Sequence, residues 1–193
     1  MAESGTGPPR LLGIAGSLRA NSYNVRLLEA ARECGEGLAE LEISPQQVLR
    51  GIPPFDAGQA LDPPEAVVAF AESVGAADGL LFSTPEYGAS IPGVLKNALD
   101  WLSCPRGEEP IRDKPTAVIG ASRDRWGADW AQADARKVLD AAGARVVPTE
   151  LPVPCVQESF NAAGELIDEE LRDRLSAVIS ELLLGARRLA PVG

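Results

Sequence analysis

Histidine is absent from this chain of 193 residues. That excludes His-ligated metal sites and both the Ser-His-Asp and Cys-His types of nucleophile. Cysteine is scarce, and Cys34, Cys104 and Cys155 are scattered. They make neither a C-x-x-C pair nor a disulfide framework, so each reads as a small packed hydrophobe in a reducing compartment. No apolar run approaches the roughly 20 residues that span a bilayer. The first residues, MAESGTGPPR, lack the basic start and apolar core of a secretory signal. A cytoplasmic protein with no membrane partner is expected. Positive charge is in deficit, with 18 Lys and Arg against 28 Asp and Glu, a net charge of −10. Sequence-independent nucleic-acid binding needs the opposite balance. No spaced pair of carboxylates argues for hydrolysis.

What is present is ordinary for a globular domain: 45% hydrophobic and 24% charged residues. Residues 1–9 read as a disordered tail and 10–193 as one domain. Short apolar runs alternate with helical patterns. Leu11–Ala15, Asp78–Ser83, Pro115–Gly120 and Ala144–Val147 read as strands. Leu38–Ile43 with Val48–Leu49 is an ambiguous further strand. Helices are expected over Val25–Cys34, Glu65–Gly75, Pro92–Leu102, Trp130–Ala142 and Asp168–Leu189. Strands that are apolar throughout belong in a parallel sheet covered on both faces. Five β/α units with right-handed crossovers give an α/β, doubly wound open sheet. Ligands then bind beyond the carboxyl ends of the strands, where the strand order switches.

Three loops should meet there. The first is GSLRANSYN, residues 16–24, running from a strand into a helix. Backbone N–H groups and the positive end of a helix dipole converge at such a turn and form a seat for phosphate. Ser17, Ser22 and Asn24 add polar side chains, and Arg19 adds a guanidinium suited to bidentate contact. Without a ligand, the same loop is a helix cap built on Ser22 or Asn24. The second is STPEYGASIPGVLKNALDW, residues 83–101, stiffened by Pro85 and Pro92 and carrying Tyr87, one of two tyrosines. Tyr87 either covers a planar ring or packs on the following helix. The third is GASRDRWGAD, residues 120–129. Arg123, Arg125 and Trp126 suit a planar anion or a phosphate, or the arginines pair with Asp124 and Asp129 on a solvated face.

The first two motifs at this spacing resemble the NADPH-dependent FMN reductase family, whose relatives reduce chromate, azo compounds and quinones. The resemblance covers the chain from Leu11 to the last helix. It implies a flavodoxin-like fold: a doubly wound, five-stranded parallel sheet with helices on both faces. It implies FMN, its phosphate held by Ser17, Arg19, Ser22 and Asn24, with Pro85, Glu86, Tyr87 and Gly88 flanking the flavin and Ser122 holding it from the third loop. It also implies hydride transfer from NADPH, or NADH, to the flavin. Electrons then pass to a small acceptor such as a quinone, flavin, chromate or azo compound. No side chain need act as acid or base and no metal is required. Arg123 and Arg125 are candidates, on charge alone, for the extra phosphate of NADPH. A homodimer or homotetramer is implied, with Trp101 in a subunit contact if it projects outward and in the domain core otherwise. Two departures stand out: Gly88 replaces the family's usual Asn, and Arg123-Asp124-Arg125-Trp126 replaces a glycine-rich run. A flavodoxin-like electron carrier and a non-catalytic protein with weak flavin binding are the alternatives.

Overall fold

The residues of the first strand show how the sheet is built. Leu12 and Ile14 point into one hydrophobic core, and Leu11 and Ala15 into another. The same alternation recurs two strands over, with Leu80 and Phe82 on the first side and Leu81 on the second. Such strands are buried on both faces and require a helical layer on each.

The computed structural model describes residues 7–103 and 109–189. The strands are β1 (Arg10–Ala15), β2 (Glu40–Ile43), β3 (Gly79–Thr84), β4 (Pro115–Ala121), β5 (Arg145–Val146) and β6 (Leu151–Val153). The helices are α1 (Tyr23–Cys34), α2 (Gln46–Gly51), α3 (Glu65–Ala76), α4 (Gly93–Leu102), α5 (Asp129–Ala141) and α6 (Glu169–Leu189). The sheet order is β2-β1-β3-β4-β5, with β6 also on β4, and every pairing is parallel. Helices α1 and α6 cover the face of Leu11 and Leu81, while α2 to α5 cover the other. The strand order reverses between β1 and β3. The expected doubly wound, flavodoxin-like architecture is the one observed. No helix among the described residues is long and apolar enough to cross a membrane.

Two expected strands differ. Val48 and Leu49 lie in the short helix α2, not in a strand. Pro45 precedes that helix with extended backbone, a position where proline starts a helix at no hydrogen-bond cost. The expected strand Ala144–Val147 is present as the shorter β5, and a further strand, β6, follows it that was not expected. β5 pairs with the start of β4 and β6 with its end, and Pro148 lies between them. Proline has no N–H to continue a ladder. Arg136 bridges the break by donating to the carbonyls of Pro148 at 3.3 Å and Thr149 at 3.4 Å. Trp101 is 1% exposed and lies in the core, edge-on to Phe55, with its Nε1 donating to the Pro53 carbonyl. Residues 1–6 of the expected tail and Cys104 fall outside the described residues, while the Pro9 carbonyl accepts from the Glu40 N–H at 2.9 Å.

Helix α6 closes the second core and starts at a charged cap. Asp168 accepts from the Leu171 N–H at 3.0 Å and from the Ser159 hydroxyl at 2.9 Å. These contacts, the Leu171 amide foremost, hold its carboxyl below the usual value of 3.8. Replacing Asp168 with Ala is expected to cost about 1 kcal/mol at neutral pH, and with Asn much less. A carboxylate whose pKa falls on folding contributes fully above its unfolded value and less as pH drops through the native one. Urea unfolding at pH 7 should therefore separate wild type from Asp168→Ala, and the gap should shrink once the pH is taken below 3.8.

Candidate functional site

The three loops meet on one side chain. Asn24, buried in the first turn of α1, donates through Nδ2 to the Ala121 carbonyl at 3.0 Å. Its Oδ1 accepts from the Ala121 N–H at 3.0 Å and from the Ser83 hydroxyl at 2.9 Å. One amide thus joins the start of α1 to the ends of β3 and β4. The Gly16 N–H adds a bond to the Ser83 carbonyl at 2.9 Å.

The first loop is shaped by α2. Gln46 donates to the carbonyls of Ser17 and Arg19, and Arg50 to that of Leu18 at 3.1 Å. Three successive carbonyls are thereby occupied. The N–H groups of Ser17, Leu18, Ala20, Asn21 and Ser22 donate to no partner among the described residues. Ser17 and Ser22 are buried, and each hydroxyl oxygen only accepts, from the Arg19 and Asn24 N–H groups respectively. Their protons are therefore available to an acceptor. Ser22 is the N-cap of α1, whose first turn holds no acidic residue to neutralise the dipole. Arg19 is exposed and forms no ion pair among the described residues. Free amides, two hydroxyl donors, a helix N-terminus and a guanidinium form a site for a phosphate group.

The second loop is a latch. Tyr87 and Ser90 exchange two backbone bonds, closing a tight hairpin in which Gly88 (φ 58°) and Ala89 (φ 61°) are both left-handed. This is the pattern of a type I′ turn, which favours Asn or Gly at such positions. Gly88 in place of the family's Asn thus keeps the turn. The hairpin consumes the Tyr87 N–H, while the N–H groups of Glu86 and Gly88 lack a partner among the described residues. The Glu86 carboxylate accepts from the Ala131 N–H at 3.2 Å and so caps α5, whose own N-cap residue, Ala128, supplies no side-chain bond. Ser90 donates to Asp134 at 2.6 Å. Two side chains therefore fix the loop on α5. Pro85 is buried and Tyr87 is 50% exposed.

A family model described as NADPH-dependent FMN reductase matches residues 9–158. The chain belongs to that family. It is 39% identical over 182 residues to an NAD(P)H-dependent FMN reductase of Pseudomonas aeruginosa, covering 93% of this chain and 96% of the relative. It is 35% identical over 170 residues to a 2-hydroxy-1,4-benzoquinone reductase of a Burkholderia species, covering 87% and 91%. The structure of FerB, a flavoenzyme NAD(P)H:(acceptor) oxidoreductase from Paracoccus denitrificans, superposes with a TM-score of 0.81 at 29% identity, covering 93% of this chain and 98% of FerB.

The third loop is closed by its own side chains. Ser122 donates to the Asp124 carboxylate at 2.6 Å, and Asp124 accepts from the Trp126 N–H at 2.8 Å. The Ser122 hydroxyl first, then the Trp126 and Gly127 amides, hold the Asp124 carboxyl below its usual value. Asp124 is thus committed inside the loop and does not pair with the arginines beside it. Arg123 is exposed, and the Arg125 guanidinium lies 4.5 Å above the Trp126 ring. Gly127 (φ 64°) faces the backbone of β6, where an added Cβ would stand 2.7 Å from the Val153 nitrogen. Gln132 completes the support: Nε2 donates to the Gly127 carbonyl at 3.2 Å and Oε1 accepts from the Leu151 N–H at 3.3 Å.

Gln46, Arg50 and Gln132 escaped sequence reading. Each acts through a backbone carbonyl distant in sequence, and no local motif marks such a partner. Two outcomes test the account. Asn24→Ala leaves Ala121 and Ser83 groups unpartnered and should destabilise the protein by about 3 kcal/mol in urea unfolding. Ala89→Gly relieves a left-handed alanine and should stabilise it by about 0.5–1 kcal/mol.

Proposed function

We propose that the protein is an FMN-dependent NAD(P)H oxidoreductase that reduces a small acceptor, a quinone or flavin foremost. The observation that carries this is the first loop, whose carbonyls are held by α2 while its amides and two buried hydroxyls are left for an anion. Those groups fit the phosphate of FMN. Ser17, Ser22 and Arg19 would bind it, and Asn24 would hold the loops around it. Pro85, Glu86, Tyr87 and Gly88 would flank the ring, through the N–H groups of Glu86 and Gly88, and Ser122 and Arg123 would approach from the third loop. When bound, FMN supplies the redox chemistry, and the chain supplies position and electrostatics. N–H groups directed at an electron-rich ring stabilise negative charge there. The absence of histidine fits a site in which no side chain has to shuttle a proton.

Acceptor breadth follows from exposure. Tyr87, Trp126 and Trp130 are 50%, 60% and 63% exposed, and the contacts of Glu86 and Ser90 with α5 bring their segments together. Aromatic side chains at an open rim suit planar acceptors of varied outline. The names of the Burkholderia and FerB relatives, a hydroxyquinone reductase and an NAD(P)H:acceptor oxidoreductase, support this reading. We place the protein in the cytoplasm, where the free thiols of Cys34 and Cys155 would persist. We also assign it a homo-oligomeric state, dimer or tetramer, supported by the apolar side chains of Phe55 and Leu61, which are 37% and 94% exposed between α2 and α3. An electron carrier is disfavoured by a site left open at its rim.

The deciding experiment is an absorption spectrum with added FMN, followed by anaerobic NADPH. Flavin bands near about 450 nm that bleach on NADPH are expected. Arg19→Ala should weaken FMN binding about 10- to 100-fold, the loss of one charge-assisted phosphate contact. A protein that takes up no FMN would sink the reading. One that binds FMN without oxidising NADPH or NADH would be the carrier.

A further inference from the structure

The third loop holds two arginines that form no ion pair among the described residues. Asp124, the acidic residue between them, is exposed and hydrogen-bonded to Ser122 and the Trp126 amide. No carboxylate among the described residues lies within ion-pair distance of Arg123 or Arg125. The loop is also held in shape rather than free. Asp124 closes it from within, its carbonyl accepts from the Cys155 N–H at 2.9 Å, and Gly127 fits only as glycine against β6. On this fixed loop the Arg125 guanidinium stacks on an indole that remains 60% exposed.

A guanidinium stacked on an indole uses its flat face and keeps its N–H edge for an anion. The indole offers its exposed surface to a second ring. Together they fit a planar heteroaromatic carrying a dianionic phosphate close by. Two arginines within three residues match a dianion better than the single charge of a carboxylated acceptor. Their exposure at the rim suits a part of a long ligand remote from the reacting ring.

Resting on the reductase reading above, we propose that Arg123, Arg125 and Trp126 form the subsite for the adenosine 2′-phosphate of NADPH. The arginines bind the phosphate and Trp126 stacks on the adenine. This loop then sets the choice between NADPH and NADH, which differ only in that phosphate. The charge of the protein sharpens the choice, because a ligand with an added dianion is repelled by a negative surface unless a local cation receives it.

The test uses the purified full-length protein and two nucleotide fragments, adenosine 2′,5′-bisphosphate and 5′-AMP, titrated by calorimetry and by tryptophan fluorescence. These measurements do not depend on flavin. Wild type should bind the bisphosphate about 10- to 100-fold more tightly than 5′-AMP, with quenching that Trp126→Phe reduces. Arg125→Ala and Arg125→Gln should erase most of the difference, Arg123→Ala part of it. The NADPH-to-NADH ratio of kcat/KM should fall in parallel. Arg145→Ala removes the same charge from β5, where Arg145 pairs with Asp113 at 3.6 Å, and should leave the difference intact. Equal affinity for the two fragments overturns the proposal, as does an equal loss in Arg145→Ala, which would reduce the effect to net charge. So does a bisphosphate preference untouched by the loop variants. If FMN binds and NADPH oxidation is normal while the fragments bind alike, the subsite fails and the reductase stands. If the fragments discriminate but no FMN binds, the reductase reading fails and the subsite stands. Weak fragment binding with a marked preference for anionic aromatic acceptors, lost in Arg125→Ala, would assign the loop to the acceptor instead and overturn the proposal.

Discussion

The structure depends on the side chain of Asn24. A doubly wound sheet brings its loops to one end of the strands, but the sheet alone does not fix their relative positions. Asn24 does so with three hydrogen bonds made in a buried place. There an amide bond is worth more than at the surface, and an unmade one costs more. The strands meet at this point with little room: an added Cβ at Gly120 would stand 2.9 Å from the Thr84 carbonyl oxygen. The side chain expected to touch the ligand is thus the one that aligns the groups around it. Ser17, Ser22 and the free amides are left to make the contact.

A second constraint works by subtraction. Loops usually satisfy their own amides, and a turn with many free N–H groups is unstable without a partner. Here α2 accepts the cost from outside, because Gln46 and Arg50 engage the carbonyl side of the loop and orient the peptides. The opposite, amide side is then preset for an anion. The same logic holds at the second loop, where Glu86 spends its carboxylate on the start of α5 while its own N–H stays free. In each case a side chain far away in sequence fixes what the backbone can offer.

Local pattern made the fold legible. Leu11–Ala15, DGLLFS and PTAVIG are continuous apolar runs, and each lies in a central strand. Pro115 opening β4 and Gly143 following α5 mark boundaries that proline and glycine chemistry dictates. What pattern missed was non-local. Val48 and Leu49 look like a strand, yet Pro45 starts a helix there. Leu151–Val153 is too short to stand out, and only its pairing with β4 makes it a strand. The three loops were legible as loops, with the residues that line them. Asp124 was not: its sequence neighbours suggest ion pairs with arginine, whereas Ser122 and two backbone amides claim it over a shorter reach.

The charge layout carries the argument furthest. A groove of about 500 Å³ beside α1 and β2, at the amino end of β2, is lined by Glu33, Glu36, Glu40 and Glu42 with one cation, Arg32. Arg19, Arg123 and Arg125 stand at the other end of the sheet, at the carboxyl ends of β1 and β4. The protein is negative as a whole, and these three arginines stand at the end of the sheet where the loops meet. The N-terminus of α1 adds its dipole at the same positive end. An anionic ligand diffusing to such a surface is turned away from most of it and drawn to one end, where low-dielectric walls concentrate the field. A net charge that seems unsuited to phosphate ligands is therefore compatible with them, provided some unpaired cations stand where the ligand binds. The bonds of Asp124 to Ser122 and the Trp126 amide leave Arg123 and Arg125 without an ion pair at that end.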